Sequence, residues 1–472
     1  MIASATAFGD VAATLGPLER MSREAMLDLQ FRKLKRQLER LHRTNAYYRA
    51  KLDAARVQPG DIRTLEDFRR RIPLSTKADF LRDQEEHPPF GSRLGVPRDE
   101  VVLVNLTGGT SGQGQEVYGR TNADIAMQGY FHTLPWFMAG LRAGDIAINC
   151  VPAGGLTTGG WGPGEGFRIA GATALSAGGA LSTDQKVALM ARFGEIHFIY
   201  ASTNYIHTLS EAFRARGVTP AERFPMMKAL FAVAEGYPMA WARAIEHFWG
   251  CPLHEGYGST QGAGFVSATC ERGVVRADRE RGLMHIFDWH NVIEVVNPET
   301  GEPVAPGEEG EIILTNLDLR GSPVLRFSTR DRARWFPHDA CGCGRAWACI
   351  EAGTVGRYDD MMKIRGNNVW PLAIDQAVFA HPEVAEYVGR VYVDPAARTE
   401  VEVKIALKPE HQSAGGEELQ GLVERIRTAI KRATNVSMEV RVVPRSELPT
   451  FTYKARRWSD ERQAGYREGA NA

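Results

Sequence analysis

The stretch Gly356–Pro371 reads GRYDDMMKIRGNNVWP, and it separates two unlike parts of the chain. It is charged and bracketed by glycines, whereas the sequence before it alternates short apolar runs with Gly-rich turns. A small α/β pattern follows it, with three strand-like runs and one helical stretch at 388–393, 401–407, 438–443 and 417–434. The sequence therefore predicts a large domain over residues 1–355 and a small mobile domain over residues 356–472.

The large part has the rhythm of layered α/β sheets. Residues 21–54 place apolar side chains at three- and four-residue spacings, which predicts an amphipathic helix. Further on, strand-like runs alternate with Gly-rich turns and helical stretches; these runs lie at 101–106, 146–151, 197–200, 229–234, 292–296 and 310–315. This alternation predicts an α/β fold whose sites lie in the loops that follow strands.

Length and charge exclude several classes of protein. A chain of 472 residues is too long for one ordinary core. Lys+Arg and Asp+Glu both number 57, so no net field attracts nucleic acid or anionic lipid. The sequence contains no run of about 18 apolar residues, so we expect no membrane span. The first 16 residues lack the basic start of a signal peptide. Six unevenly spaced cysteines indicate reduced thiols, and we expect a cytoplasmic protein.

Five short motifs are candidates for chemistry. The first, Thr107–Gly114 (TGGTSGQG), follows an apolar run, and its free backbone N–H groups and hydroxyls suit phosphate oxygens. It lacks the Lys-Ser/Thr ending of a Walker A loop, and a plain turn is the alternative. The other four are EGYGSTQ at 255–261, FSTRD at 327–331, GRYDD at 356–360 and Lys454 in FTYKARR. Each is weak alone, but their order and spacing argue against coincidence.

Together these motifs resemble the adenylate-forming superfamily of acyl-CoA synthetases, and within it the phenylacetate–coenzyme A ligase family. The likeness covers nearly the whole chain. Residues 45–80 (NAYYRAKLDAARVQPGDIRTLEDFRRRIPLSTKADF) resemble the family's opening, and Gly356–Pro371 is the most specific match. The resemblance implies a large domain of layered α/β sheets that binds ATP and the acid. It also implies a small α+β domain that carries the catalytic lysine.

The resemblance assigns roles to individual residues. Those that bind ATP would be Thr107, Gly108, Gly109, Thr110, Ser111, Gly112, Ala234, Glu235, Glu255, Tyr257, Gly258, Asp331 and Arg357. Asp331 would hold the ribose, since a carboxylate can accept from two vicinal hydroxyls. Lys454 and Thr260 would be catalytic, and Asp359 would be the hinge.

The implied reaction has two halves, with ATP, Mg²⁺ and coenzyme A as cofactors or cosubstrates. A carboxylate attacks the α-phosphate of ATP while Lys454 offsets the developing charge. The small domain then rotates about Asp359 and presents the Gly366 region for thiol attack on the acyl-AMP. A small carboxylic acid is the expected partner, with neither nucleic acid nor membrane, and a homodimer is left open.

Two departures from the family pattern concern magnesium and the acid. Gln261 stands in the magnesium region, where the family has Glu. Either phosphate and water hold most of the magnesium ion, or this position has drifted toward another use. In VPAGGLTTGGWG (151–162), Pro152 and Thr157 replace aromatic residues of the substrate pocket, with Trp161 nearby. A more polar or bulkier aryl acid than phenylacetate is therefore the expectation.

A metal site is also predicted. Cys341-Gly342-Cys343 is too tight for an unstrained disulfide but suits two thiolates on one metal. Relatives with this pair also have an upstream cysteine and a histidine, here Cys270 and His285, which would complete a structural Cys3His zinc site. Buried free thiols are the alternative, and Cys349 is expected to be simply buried.

Three functions remain open from the sequence. The first is an aryl-acid–coenzyme A ligase. The second keeps adenylation but changes the acceptor to a carrier-protein thiol, an amine or an inorganic nitrogen nucleophile. The third is a nucleotide-binding sensor, against which Lys454, Asp331 and Arg357 argue, because binding alone does not require the lysine.

Overall fold

The computed structural model describes residues 16–107, 114–152, 156–233, 236–365, 367–394, 398–413, 415–449, 451 and 457–462, with the backbone alone for Asp359 and Asn368. Its α-helices are α1 (Arg23–Thr44), α2 (Ala46–Ala54), α3 (Leu65–Arg71), α4 (Lys77–Glu86), α5 (Asn122–Met138), α6 (Thr158–Ala170), α7 (Thr183–Phe193), α8 (Thr203–Arg214), α9 (Pro220–Arg223), α10 (Met239–Trp249), α11 (Pro371–Phe379) and α12 (Gly416–Thr434). None of these helices combines the length and the apolar character needed to cross a bilayer.

The strands are β1 (Leu103–Leu106), β2 (Val117–Arg120), β3 (Ile146–Pro152), β4 (Thr173–Gly178), β5 (Phe198–Ser202), β6 (Ala229–Val233), β7 (Leu253–Ser259), β8 (Gly264–Thr269), β9 (Leu283–Ile286), β10 (Asn291–Val296), β11 (Glu309–Asn316), β12 (Phe327–Phe336), β13 (Cys349–Glu351), β14 (Gly356–Arg357), β15 (Met362–Ile364), β16 (Asn367–Val369), β17 (Val384–Val393), β18 (Thr399–Leu407), β19 (Glu439–Val442) and β20 (Trp458–Asp460).

One long sheet organises the large part of the chain. Its strand order is β10-β11-β12-β13-β9-β8-β7-β6-β5-β3-β4, and β14 pairs with β12 beside this path. The pairings along the path from β4 through β3, β5 and β6 to β7 are parallel. The pairings from β7 through β8, β9, β13, β12 and β11 to β10 are antiparallel. The apolar runs of β5 and β6 are buried along their whole length, as expected for parallel strands covered on both faces. The carboxyl ends of the parallel strands meet at one edge, where an α/β fold places its ligands.

The amphipathic segment at 21–54 is two helices and not one, which corrects the continuous helix expected from its periodicity. Asn45 adopts an extended conformation, with φ −115° and ψ 108°. Its side-chain oxygen accepts a hydrogen bond from the backbone N–H of Tyr48 and caps α2. Asparagine favours such capping over a helix interior, so it ends α1 although the apolar spacing continues.

The C-terminal part has its own core. Strands β19, β18, β17 and β20 form a four-stranded sheet, and β15 pairs with β16 as a hairpin. Apolar residues of α11 and α12 pack against this sheet in a separate buried cluster. The layered α/β sheets and the second, smaller α+β unit confirm the predicted fold class. The boundary at residue 356 stays a prediction; Gly356 and Arg357 themselves pair with β12 of the large sheet.

Candidate active site

Tyr257, Asp331 and Arg357, which we call the nucleotide rim, come together although they lie far apart in sequence. The Tyr257 hydroxyl donates a hydrogen bond of 2.7 Å to Asp331 Oδ2. Arg357 Nη1 lies 3.8 Å from Asp331 Oδ1, because β14 pairs with β12 and sets Arg357 opposite Asp331. Burial, followed by the Asp331 charge, raises the pKa of Tyr257 well above its usual value, so the phenol remains a donor. The rim thus presents a fixed carboxylate, suited to vicinal hydroxyls.

Glu255 is directed into the protein interior. Its Oε2 accepts hydrogen bonds of 2.6 Å from both the Tyr237 hydroxyl and the Gly353 backbone N–H. Burial raises the pKa of Glu255 to about 7. Its side chain therefore ties β7 to the segments around residues 237 and 353, and its predicted role toward ATP stays a prediction. Gly258 lies in β7 at an irregularity of the pairing with β8.

The base of the Gly-rich loop is described at both ends. The Thr107 hydroxyl accepts a 3.0 Å hydrogen bond from the Glu116 backbone N–H, and the Thr107 N–H donates to the Glu116 carbonyl at 3.1 Å. Gln115 Nε2 donates to the Thr107 carbonyl at 2.8 Å. These bonds close the loop where β1 passes into β2. The predicted phosphate ligands Gly108, Gly109, Thr110, Ser111 and Gly112 lie outside the described residues.

Thr260 and Gln261 follow the carboxyl end of β7 and reach the base of this loop. Gln261 Nε2 lies 3.2 Å from Glu116 Oε1 and 3.4 Å from Oε2. The buried Arg120 donates a 2.5 Å hydrogen bond to the Thr260 carbonyl. The two predicted phosphate-side motifs are therefore adjacent in space, with a carboxylate and an amide in contact between them.

The predicted acid-pocket residues lie beside the same loop. Thr157 precedes α6 and is exposed, and Trp161 is half-buried in the first turns of that helix. The Leu106 N–H donates a 2.7 Å hydrogen bond to the Leu156 carbonyl, which joins the end of β1 to this segment. The predicted acid-pocket segment therefore adjoins the start of the Gly-rich loop.

Among the described residues, several contacts connect the large part to the C-terminal part. Asn204 Nδ2 donates a 2.9 Å hydrogen bond to the Phe451 carbonyl. The Arg332 guanidinium lies 4.9 Å from the centre of the Trp370 ring. Gly236 faces Leu372 so closely that a Cβ would lie 2.9 Å from Leu372 Cδ1. Ala234, Glu235 and Lys454 lie outside the described residues, as does the Asp359 side chain.

A Cys/His cluster, formed by Cys270, His285, Cys341 and Cys343, lies on another part of the large sheet. One ligand atom from each of these residues lies within 4.8 Å of the others. The Sγ atoms of Cys270 and Cys341 are 3.8 Å apart, and Cys343 Sγ is 3.4 Å from His285 Nε2. All six cysteines of the chain are free thiols. Cys343 is half-buried, whereas the other three residues are buried.

Cys349 is buried, as expected, but it also contacts the cluster. Its Sγ lies 3.4 Å from His285 Nδ1, on the side of the ring away from Cys343. Pairing of β13 with β9 sets Cys349 opposite His285. A strand register that brings these two residues together could not be read from their spacing in sequence.

Comparison with known proteins identifies the class to which this fold and site belong. The family described as AMP-binding enzyme matches residues 42–317, and the family described as AMP-binding enzyme C-terminal domain matches residues 366–462. The chain belongs to the AMP-binding, adenylate-forming enzymes and, within them, to the phenylacetate–coenzyme A ligase family.

Curated relatives resemble the chain over nearly its whole length. A phenylacetate–coenzyme A ligase of Thermus thermophilus is 33% identical over 449 residues, which cover 92% of this chain and 95% of the relative. The enzyme of the same name from Escherichia coli is 29% identical over 449 residues, covering 95% and 98%.

Solved structures match the arrangement of both parts. A 2-hydroxyisobutyryl-CoA ligase in its postadenylation state, with an acyl-AMP bound, has a TM-score of 0.83 at 23% identity, covering 97% of this chain and 94% of that one. The same ligase in its thioesterification state gives 0.68 at 24% identity, with the same coverage. This chain therefore superposes more closely on the postadenylation structure than on the thioesterification structure.

Sequence reasoning missed two residues of the site. Glu116 follows the Gly-rich loop directly, and the missing carboxylate at position 261 was a signal that another could lie nearby. Asn204 carried no such signal, because its partner is a backbone carbonyl 247 positions away.

Proposed function

We propose that this chain activates a carboxylic acid with ATP as an acyl-AMP and then transfers the acyl group to coenzyme A. Membership of the phenylacetate–coenzyme A ligase family supports both half-reactions. The observation that carries the proposal is the nucleotide rim, where Asp331 is held by the Tyr257 hydroxyl and the Arg357 guanidinium beside the joint between the two parts. Such a carboxylate can accept from both hydroxyls of a ribose.

In the first half-reaction, this chain's groups orient the phosphates and stabilise charge. Thr260 and the loop that begins at Thr107 hold the phosphates, and Lys454 offsets charge at the α-phosphate and the attacking carboxylate. Gln261 and the phosphates would hold Mg²⁺, which neutralises phosphate charge, and oxygen donors fit this ion. The hydrogen bond from Asn204 to the Phe451 carbonyl supports this pose, because residue 451 lies three positions before Lys454.

In the second half-reaction, the domain at 356–472 turns about Asp359 and admits the thiol. The match with a ligase in its postadenylation state supports an adenylation-type pose of the small domain in this structure. A hinge of few residues suits one domain that serves two poses.

The acid is an aryl acid more polar or bulkier than phenylacetate. Thr157 follows Leu156, whose carbonyl accepts a hydrogen bond from the Leu106 N–H just before the Gly-rich loop, and Trp161 lies in the first turns of α6. A threonine hydroxyl and an indole ring at the start of one helix suit an aromatic acid that carries a polar substituent.

Pyrophosphate release tests the proposal. The full-length protein is assayed with a panel of aryl and alkyl acids, with and without coenzyme A. We expect release with a substituted aryl acid, and faster turnover when coenzyme A is present. Turnover that coenzyme A does not accelerate would indicate another acceptor, and no ATP consumption with any acid would refute the enzyme function.

We also propose that the Cys/His cluster binds a structural zinc ion. A tetrahedral zinc ion with Zn–S bonds of about 2.3 Å places its sulfurs about 3.8 Å apart, and Cys270 and Cys341 have that separation. Three thiols and one imidazole fill all four positions, so the ion has no open site for substrate. Metal analysis of protein purified without chelator should give about one zinc per chain. A metal-free preparation that keeps its full stability would refute this site.

A further inference from the structure

We propose that Glu116 is the positioning residue of the divalent-cation site, where it orients Gln261 and supplies the negative charge that Gln261 lacks. This inference rests on the proposed ATP-dependent function. It concerns two residues that the Gly-rich loop and the carboxyl end of β7 bring into contact, at 3.2 Å from Gln261 Nε2 to Glu116 Oε1.

The contact fixes which face of the amide is presented. An ionised carboxylate only accepts hydrogen bonds, so the Gln261 NH₂ group must face Glu116. Nε2 lies within 3.4 Å of both carboxylate oxygens. The amide oxygen is therefore directed away from Glu116, as an acceptor for a hard cation or for its bound water.

Glu116 is itself held in place. The Tyr118 hydroxyl donates a 2.9 Å hydrogen bond to Glu116 Oε1, and the Glu116 backbone pairs with Thr107. Only 1% of the residue is exposed, so solvent screens its charge weakly. A neutral amide beside a fixed carboxylate carries the same charge of −1 as the single glutamate that the family places at position 261.

This arrangement changes the expected effect of restoring the family's residue. Gln261→Glu alone would set two carboxylates in contact, and like charges so close destabilise each other. Glu116→Gln in the same chain would exchange the two groups and relieve the repulsion. If the double variant Glu116→Gln/Gln261→Glu recovers what each single variant loses, the loss comes from charge and orientation and not from disturbed packing.

The test uses Mn²⁺ as a paramagnetic probe with a non-hydrolysable ATP analogue, on the full chain. Glu116→Gln should weaken Mn²⁺ affinity about tenfold or more, while metal-free AMP binding stays unchanged. The double variant Glu116→Gln/Gln261→Glu should recover the affinity. In the metal-free protein, Gln261→Glu alone should lower the melting temperature, and the double variant should restore it.

Tyr118→Phe removes one hydrogen bond to Glu116 but keeps the carboxylate in contact with Gln261, so its Mn²⁺ affinity should fall less than that of Glu116→Gln. If Glu116→Gln does not fold, Gln261→Leu should give the same loss of Mn²⁺ affinity. Unchanged Mn²⁺ affinity in Glu116→Gln, or a parallel fall in its AMP affinity, would overturn the proposal. A wild type that binds neither AMP nor the ATP analogue would instead refute the proposed function.

Discussion

The nucleotide rim and the Cys/His cluster belong to the same long sheet but are organised in opposite ways. The cluster draws all four ligands from the large part, and its ligand atoms already lie within 4.8 Å of one another. The rim is polar and half-exposed, and its Asp331–Arg357 ion pair, with 3.8 Å between Oδ1 and Nη1, joins β12 to β14 at the edge of the large part. A site complete in the folded chain suits a structural ion, whereas a site completed by a ligand and a second domain suits turnover.

Lys454→Ala gives the sharpest contrast, because it should change kinetics without changing stability. We expect acyl-AMP formation to fall about 10³-fold, since the charge that offsets the reacting groups is lost. Thioester formation from supplied acyl-AMP should be largely spared, as single-turnover assays of each half-reaction would reveal. Lys431→Ala, an exposed lysine on α12, is the control. Equal loss in both halves would contradict the division of labour between the two poses.

Cys343→Ser should have the opposite profile. A metal bound at about a thousand times its Kd contributes about 4 kcal/mol of stability, so losing this ligand should lower both zinc content and melting temperature. The folded fraction should adenylate at the wild-type rate, measured as pyrophosphate release per folded chain. Cys251→Ser alters a buried thiol outside the cluster and serves as the control. A Cys343→Ser variant that keeps its stability but loses adenylation would contradict a structural role for the Cys/His cluster.

Glu255→Gln tests whether the buried carboxyl of Glu255, behind the nucleotide rim, makes the stability of the protein depend on pH. The folded pKa is raised to about 7 from 4.5, so the unfolded chain releases this proton first as pH rises. The free energy of unfolding should therefore fall as pH rises from 4.5 to 7, and this group should account for about 3 kcal/mol of the fall. Above pH 7 its contribution should not change further. Glu255→Gln should remove the slope in denaturant unfolding measured at pH 5 and pH 8. The control variant Glu299→Gln, at an exposed position, should keep the pH dependence of the wild type. An unaltered pH dependence in Glu255→Gln would argue against a buried, protonated carboxyl.

Cys349→Ala should have the smallest effect. Cys349 contacts His285 Nδ1 at 3.4 Å, opposite the ring nitrogen that faces Cys343. Groups that orient a metal ligand typically contribute a factor of ten or more to affinity, so zinc affinity should fall about tenfold in chelator competition. Cys150→Ala, a buried thiol elsewhere, should leave it unchanged. Unchanged affinity in Cys349→Ala would mean that strand pairing alone orients His285.

Sequence patterns predicted features that depend on local or repeated signals. The buried apolar runs predicted β5 and β6, and the stretch at 356–371 predicted a second, smaller unit. The break at Asn45 was missed because a cap requires one residue, whereas the apolar period around it continued. Contacts between Glu116 and Gln261, or between Cys349 and His285, follow from loop closure and strand register. Such pairings are long-range properties, on which residue spacing alone carries no information.

The pairing of β14 with β12 has a consequence for the order in which products leave. Arg357 is hydrogen-bonded into the large sheet opposite Asp331, and the C-terminal hairpin begins only at Met362. If the small domain turns within residues 358–361, Arg357 and Asp331, the proposed ribose ligand, stay behind together. The nucleotide would then remain bound while the acyl group departs, so pyrophosphate would leave first, the thioester second and AMP last. Product-inhibition patterns would report that sequence directly, with AMP competing against ATP for the free enzyme.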